Sequence, residues 1–215
     1  MRAAAVLLVA GTLLGLQACK SAYYGTMEAF GIHKREILVD RVEEARDAQG
    51  EAKEQFKTAL ERFQELTGHE GGDLEKLYEK LSDEYDECES DAKNVTKHID
   101  AVEEVSDELF AEWKKELSEY QDADLRRQSE AKLRETKERC GELVSVMRKA
   151  ESSMKPVLGA FHDRVLFLKH NLNAQAIASL AGNAAALEGD IGKLVQQMEA
   201  SIREANEFIE AMPKT

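Results

Sequence analysis

The sequence predicts an all-α protein, an elongated antiparallel up-down-up-down bundle or coiled coil of four long helices. Three observations carry this. Two prolines and thirteen glycines in 215 residues leave long stretches free of breakers, whereas a β architecture needs turn punctuation every ten residues or so. A composition of 43% hydrophobic and 33% charged residues with only 6% aromatic suits amphipathic helices and excludes a disordered chain. From Leu38 onward, apolar residues recur at alternating spacings of three and four, the signature of a helical seam.

The first seam runs Leu38, Val42, Ala45, Gln49, Ala52, Phe56, Ala59, Phe63, Leu66 and stops at the glycine-rich stretch Gly68 to Gly72, after which Asp73 is a candidate N-cap. The second seam runs from Leu74 through Leu81, Tyr85, Cys88, Val95, Ile99, Val102, Ser106 and Trp113 to Leu117, with no Gly or Pro inside, which predicts a helix of roughly 70 Å. A polar stretch, Gln121 to Asp124, marks the second turn. The third seam runs from Leu125 through Ser129, Leu133, Thr136, Cys140, Met147 and Phe161 to Leu172; Pro156 keeps its phase, so a kinked continuous helix is expected in preference to a break capped by Ser152 or Ser153. The fourth seam, Ile177, Leu180, Ala184, Leu187, Ile191, Leu194, Met198, Ile202, Ala205, Ile209, Met212, is one residue out of phase with the third. That slip, beside Asn171 and Asn173, marks the third turn. Helices of about 36, 46, 48 and 38 residues match in length and can cover one another's seams. In the resulting hairpin of the second and third helices, Arg127 is expected opposite Glu116 and Arg139 opposite Glu104. An axial offset of roughly 24 Å then separates Cys88 from Cys140, too far for a disulfide.

The chain begins with a targeting segment. Arg2 is followed by an apolar run, Ala3 to Leu14, too short for a permanent membrane span, and then by Leu16-Gln17-Ala18-Cys19. This resembles the bacterial lipobox. Residues 1–18 are therefore expected to be a signal peptide, Cys19 the lipid-modified mature N-terminus, 19–30 a lipid-anchored linker and 31–212 a single helical domain. Lys20 lacks the aspartate that, by the same resemblance, retains lipoproteins at the inner membrane, which implies the inner leaflet of the outer membrane, facing the periplasm. Removing residues 1–18, in which Arg2 is the only charged side chain, takes the net charge from −13 to −14. Such a chain has no electrostatic affinity for nucleic acid or for anionic lipid, so the covalent anchor is what would hold it at a membrane.

The segments Ala101 to Val105 through Trp113, Ala123 to Arg127, and above all Leu168-Lys169-His170-Asn171-Leu172-Asn173-Ala174-Gln175-Ala176-Ile177-Ala178-Ser179-Leu180 resemble a bacterial family of coiled-coil envelope proteins, domain of unknown function 2959. The resemblance covers roughly Tyr23 to Met212. It implies a helical envelope lipoprotein and no known activity.

No pattern for catalysis emerges. Di-iron bundles require Glu-x-x-His pairs, but the residues three before the histidines are Phe30, Leu66, Val95, Gly159 and Phe167. His-Glu-x-x-His, Walker, Gly-x-Ser-x-Gly and Cys-x-x-Cys motifs are missing from the sequence. The expectation is therefore no enzyme, no cofactor and no metal. His33, His69, His98 and His162 read as surface or satisfied side chains. The run Asp83, Glu84, Asp86, Glu87, Glu89, Asp91 reads as a solvated face, because helix side chains radiate where a calcium site needs converging oxygens. Small residues Ala178, Gly182 and Ala186 favour close helix packing.

Two clusters are candidates for binding. His170, Asn171 and Asn173 group three hydrogen-bonding side chains at a helix end, a candidate partner contact whose simpler reading is capping of the last helix by Asn173. Arg126 and Arg127 begin the basic stretch of the third helix and are candidates for lipid headgroup contact. The function expected is a non-enzymatic periplasmic structural or adaptor protein that presents its surfaces to a protein partner. The alternative is a helical bundle that binds lipid or amphiphile at the membrane surface.

Overall fold

In the computed structural model, the residues described are 34–68, 73–182 and 184–212. Residues 1–18 (expected to be a signal peptide), Cys19, the expected linker and the centre of the glycine-rich turn lie outside them. Helix covers 93% of the described residues, and no strand occurs among them. The helices are α1 (Lys34–Thr67), α2 (Leu74–Glu116), α3 (Ala123–His170), α4 (Ala174–Ala181) and α5 (Ala184–Ala211).

Side-chain caps start the helices as the sequence predicts. The Asp73 carboxylate accepts from the Lys76 N–H at 3.3 Å. Asp122 Oδ1 accepts from the Asp124 and Leu125 N–H groups at 2.7 and 3.1 Å, so Asp122, and not Asp124, caps α3. Helix α3 passes through Pro156 without interruption. Proline leaves the Ser152 carbonyl without its helical donor, but this face is exposed to water, and the Ser152 and Ser153 hydroxyls both donate to the Lys149 carbonyl at 2.9 and 3.0 Å.

Helix α1 packs on α2 and α5, and α3 packs on the same two. Pairs across α1–α2, α2–α3 and α1–α5 run in opposite chain directions. Lys34 meets Glu112 and Arg62 meets Glu84 between α1 and α2; Trp113 meets Ser129 and Arg148 meets Asp100 between α2 and α3. Arg46 donates to Asn206 and Lys53 faces Glu199 between α1 and α5. All nine residues of the first seam are buried. Phe161 of α3 fills the core between Phe63 and Tyr85, each 6.1 Å away between ring centres.

Four expectations need correction. The predicted fourth helix is two: α4 ends at Ala181 and α5 begins at Ala184. Gly182-Asn183, both poor helix formers, stand at the junction. Near the end of α5, Ser201 and Phe208 are buried along with the seam residue Ala205, while Ile202 and Ile209 are half-buried; a helix wedged between α1 and α3 buries a stripe wider than one seam. Leu125 is 53% exposed. Arg139 reaches the Glu207 carbonyl of α5 at 3.4 Å, so the four residues remaining in α5 extend only to about the level of Glu135, and the first turns of α3 have no α5 beside them. Finally, the two expected ion pairs of the hairpin are replaced. Arg127 pairs with Asp124 one turn before it, Arg139 turns toward α5, and Arg148 is the residue that clamps α3 to α2.

Candidate functional site

The polar cluster at the α3–α4 junction is a capping device. Asn173 accepts from the Ala176 N–H at 3.0 Å, closing the first turn of α4, and the Asn171 amide donates to the Phe167 carbonyl at 3.0 Å. His170 is exposed in the last turn of α3, where the helix dipole favours a basic side chain. Leu166 and Phe167, 46% and 40% exposed, lie beside it. The structure brings these three residues together at the α3–α4 junction.

At the opposite end, Arg126 and Arg127 sit on the exposed opening turns of α3, with Tyr120 and Leu125 as exposed apolar neighbours. Asp124 holds the Arg127 guanidinium. The same end carries a feature that no local pattern announces, a cleft of about 660 Å³ formed by the start of α1, the end of α2, the early turns of α3 and the end of α5. Leu109, Trp113, Phe208 and Met212 supply its apolar lining. The absence of an α5 partner beside early α3 is what opens it.

Charges of both signs ring the cleft. Lys34 is spent on Glu112 at 2.8 Å and Lys132 on Glu135 at 3.0 Å, while Glu116 is engaged as well. Two cations remain: among the described residues, no carboxylate lies in ion-pair range of Arg35 or Arg139. The Nε–H of Arg35 is buried and has no hydrogen-bond acceptor. A buried donor without an acceptor costs on the order of 1–3 kcal/mol, more for a charged group, so the site favours an acceptor oxygen. Trp113 is held by a 2.8 Å bond from its Nε1–H to the Ser129 hydroxyl. Size, an apolar floor and a few polar groups are the attributes of a small-molecule site.

The two cysteines of the helical body are buried thiols. Burial pushes Cys88 up to about 12 and Cys140 up to about 11, the latter eased by a hydrogen bond with Ser106. Since Cys140 faces Ser106, eighteen residues along α2 from Cys88, the thiols are about 27 Å apart axially. No group of three or more His, Cys, Asp or Glu side chains converges as a metal site among the described residues. The acidic run of α2 is spread over its surface, with Glu84 turned back to Gln55 and Arg62 of α1.

A family model described as a protein of unknown function, DUF2959, matches residues 23–212. The chain belongs to the DUF2959 family. The match takes in every described helix, so the described residues that line the cleft all lie within DUF2959 sequence. No curated protein matches the chain, and no solved structure does. The family establishes kinship and a shared domain, and supplies no reaction for this DUF2959 protein.

Proposed function

We propose that this protein is a lipid-anchored, non-enzymatic envelope protein of a Gram-negative cell. In this reading Cys19 holds it in the inner leaflet of the outer membrane, and the helices form an up-down-up-down rod standing in the periplasm. The rod offers its sides and its α3–α4 end to a protein partner. The observation that carries the reading is the lipobox-like Leu16-Gln17-Ala18-Cys19 directly behind an apolar run. Charge supports it, because a body of net −14 is repelled by anionic headgroups and needs a covalent tether. No helix among the described residues is long and apolar enough to cross a membrane. More than one acyl chain on Cys19 supplies the stable attachment that a single chain does not.

Membrane fractionation of the Cys19→Ser variant tests the anchor. The parent chain is expected in the membrane fraction after a salt wash and the variant in the soluble fraction. Retention of the variant in washed membranes overturns the anchor.

A second reading, amphiphile binding at the membrane surface, is favoured by one observation, the cleft with an apolar lining and two arginines that no described carboxylate neutralises. Helix α1 enters the body at Lys34, on the rim of that cleft. An anchor upstream of Lys34 therefore joins the body at the cleft end.

A further inference from the structure

We infer that the cleft at the end of α2 and α5 is a binding site for an anionic single-chain amphiphile, its carboxylate or phosphate taken by Arg35 and Arg139 and its alkyl chain laid on Trp113, Leu109, Phe208 and Met212. This deepens the amphiphile reading above and rests on it, but it does not depend on the lipid anchor.

Three features of the site select this ligand. The first is volume: 660 Å³ falls within the range of sites for small organic ligands, roughly 300–1,000 Å³. The second is lining chemistry. An indole, a phenyl ring, a leucine and a methionine, contributed by α2 and the end of α5, line the cleft, and an alkyl chain buried among them is taken out of water. Met212, unbranched and polarizable, can adapt to chains of different length. The third is the sign of the free charge. Both lysines of the rim are matched by glutamates at 2.8 and 3.0 Å, which leaves the guanidinium groups of Arg35 and Arg139 without a carboxylate among the described residues, Arg139 giving one N–H to the Glu207 carbonyl. Guanidinium is the side chain suited to forked contact with carboxylate or phosphate oxygens. The Nε–H of Arg35 is buried and acceptor-free on a side chain that lines the cleft, so this guanidinium has hydrogen-bonding capacity left for an anionic head. A neutral or cationic amphiphile gains the same apolar contacts and leaves that donor unpaired.

The site carries its own reporter, because Trp113 is the sole tryptophan of the chain. The Cys19→Ser chain, freed from any anchor, is titrated with dodecanoate, dodecyl phosphate and dodecyltrimethylammonium, each below its micelle concentration. The expected result is a saturable change in Trp113 emission with the two anions and none with the cation. Arg35→Gln and Arg139→Gln should each weaken dodecanoate at least fivefold while the helical circular dichroism is unchanged. Phe208→Ala, which shortens the apolar wall, should weaken all chain lengths together.

Two results overturn the proposal. One is equal response to anionic and cationic probes, which would make the cleft a generic apolar surface. The other is a shift of Trp113 emission caused by Phe30→Ala or Ile32→Ala with no amphiphile present, which would show that the chain's own upstream segment covers the wall. Dodecanoate and dodecyl phosphate compared with inorganic phosphate separate a lipid-derived ligand from a free anion. Failure of the anchor reading is read independently, by the membrane fractionation of the unmodified Cys19 chain.

Discussion

Arg148 of α3 grips Glu103 of α2 with two bonds, Nη2 to Oε2 at 2.7 Å and Nε to Oε1 at 3.1 Å. The same guanidinium reaches Asp100 at 2.5 Å and Glu151 at 3.0 Å, and Glu151 accepts from the Thr96 hydroxyl at 2.6 Å. These bonds, that to Glu103 foremost, hold the guanidinium proton even more firmly than usual. A forked pair of this kind fixes axial position, because sliding α3 by one residue breaks both bonds at once. The side chains of Arg148 and Glu103 are 29% and 43% exposed, so water screens part of the attraction.

Arg148→Ala is therefore expected to lower unfolding stability by about 1–2 kcal/mol, and Glu103→Gln by less. A double-mutant cycle on thermal or urea unfolding should return a coupling of about 1 kcal/mol between the two. Strict additivity would show that the pair does not set the α2–α3 register.

The thiols of Cys88 and Cys140 should resist alkylation in the folded chain at pH 8 and react fully on unfolding, since both are buried and held neutral. Their folded values, about 12 and about 11, lie above the ordinary 9.0. The native state thus keeps its thiol protons where the unfolded chain has lost them. The stability contributed is complete below pH 9 and declines as pH rises toward 11 and 12. Urea midpoints measured across pH 8–11 should fall, and Cys140→Ser should make the fall shallower. A non-reduced intact mass lighter by two hydrogen atoms would reveal a Cys88–Cys140 bridge and overturn the helix register.

Asn173→Ala should cost about 1 kcal/mol through loss of the bond to the Ala176 N–H. Hydrogen exchange is expected to quicken first in α4. His170→Ala, which removes an exposed side chain, should stay within about 0.5 kcal/mol of the parent. A large loss on His170→Ala would mean that the cluster does more than close a helix.

Ser201 lies wholly buried in α5, and its Oγ has no hydrogen-bond partner. Ser201→Ala removes a desolvated hydroxyl without opening space, so stability should rise by about 1 kcal/mol in urea unfolding. Destabilisation would show instead that a buried water satisfies the hydroxyl.

Much of this architecture was legible because helix burial is periodic. The seam from Leu38 to Leu66 and the caps Asp73 and Asn173 follow from spacing and local hydrogen-bonding chemistry alone, while the choice of Asp122 over Asp124 needed the structure. Where a helix touches two neighbours, the reading failed in a consistent direction. Val105, Phe110, Ser201 and Phe208 are buried beside the seam, and a serine between apolar residues gives no sign that it faces inward. The cleft was invisible for a different reason. Arg35, Trp113, Arg139 and Phe208 come together only because four helices end at unequal heights, a property of register and length that no local window contains. The cluster at His170, by contrast, drew attention through composition, and within it Asn173 caps α4 as its simpler reading expects.

The gap between α4 and α5 divides the molecule mechanically. Eight residues of α4, begun by an asparagine cap and followed by Gly182, form a unit that buries only Ala176, Ile177 and Leu180. Its hydrogen bonds can open without disturbing the long shaft, because no continuous helix transmits the loss into α5. A partner that grasps this tip would meet a hinged latch on a stiff pole, and the energy needed to lift the latch is set locally, by three apolar side chains and one cap.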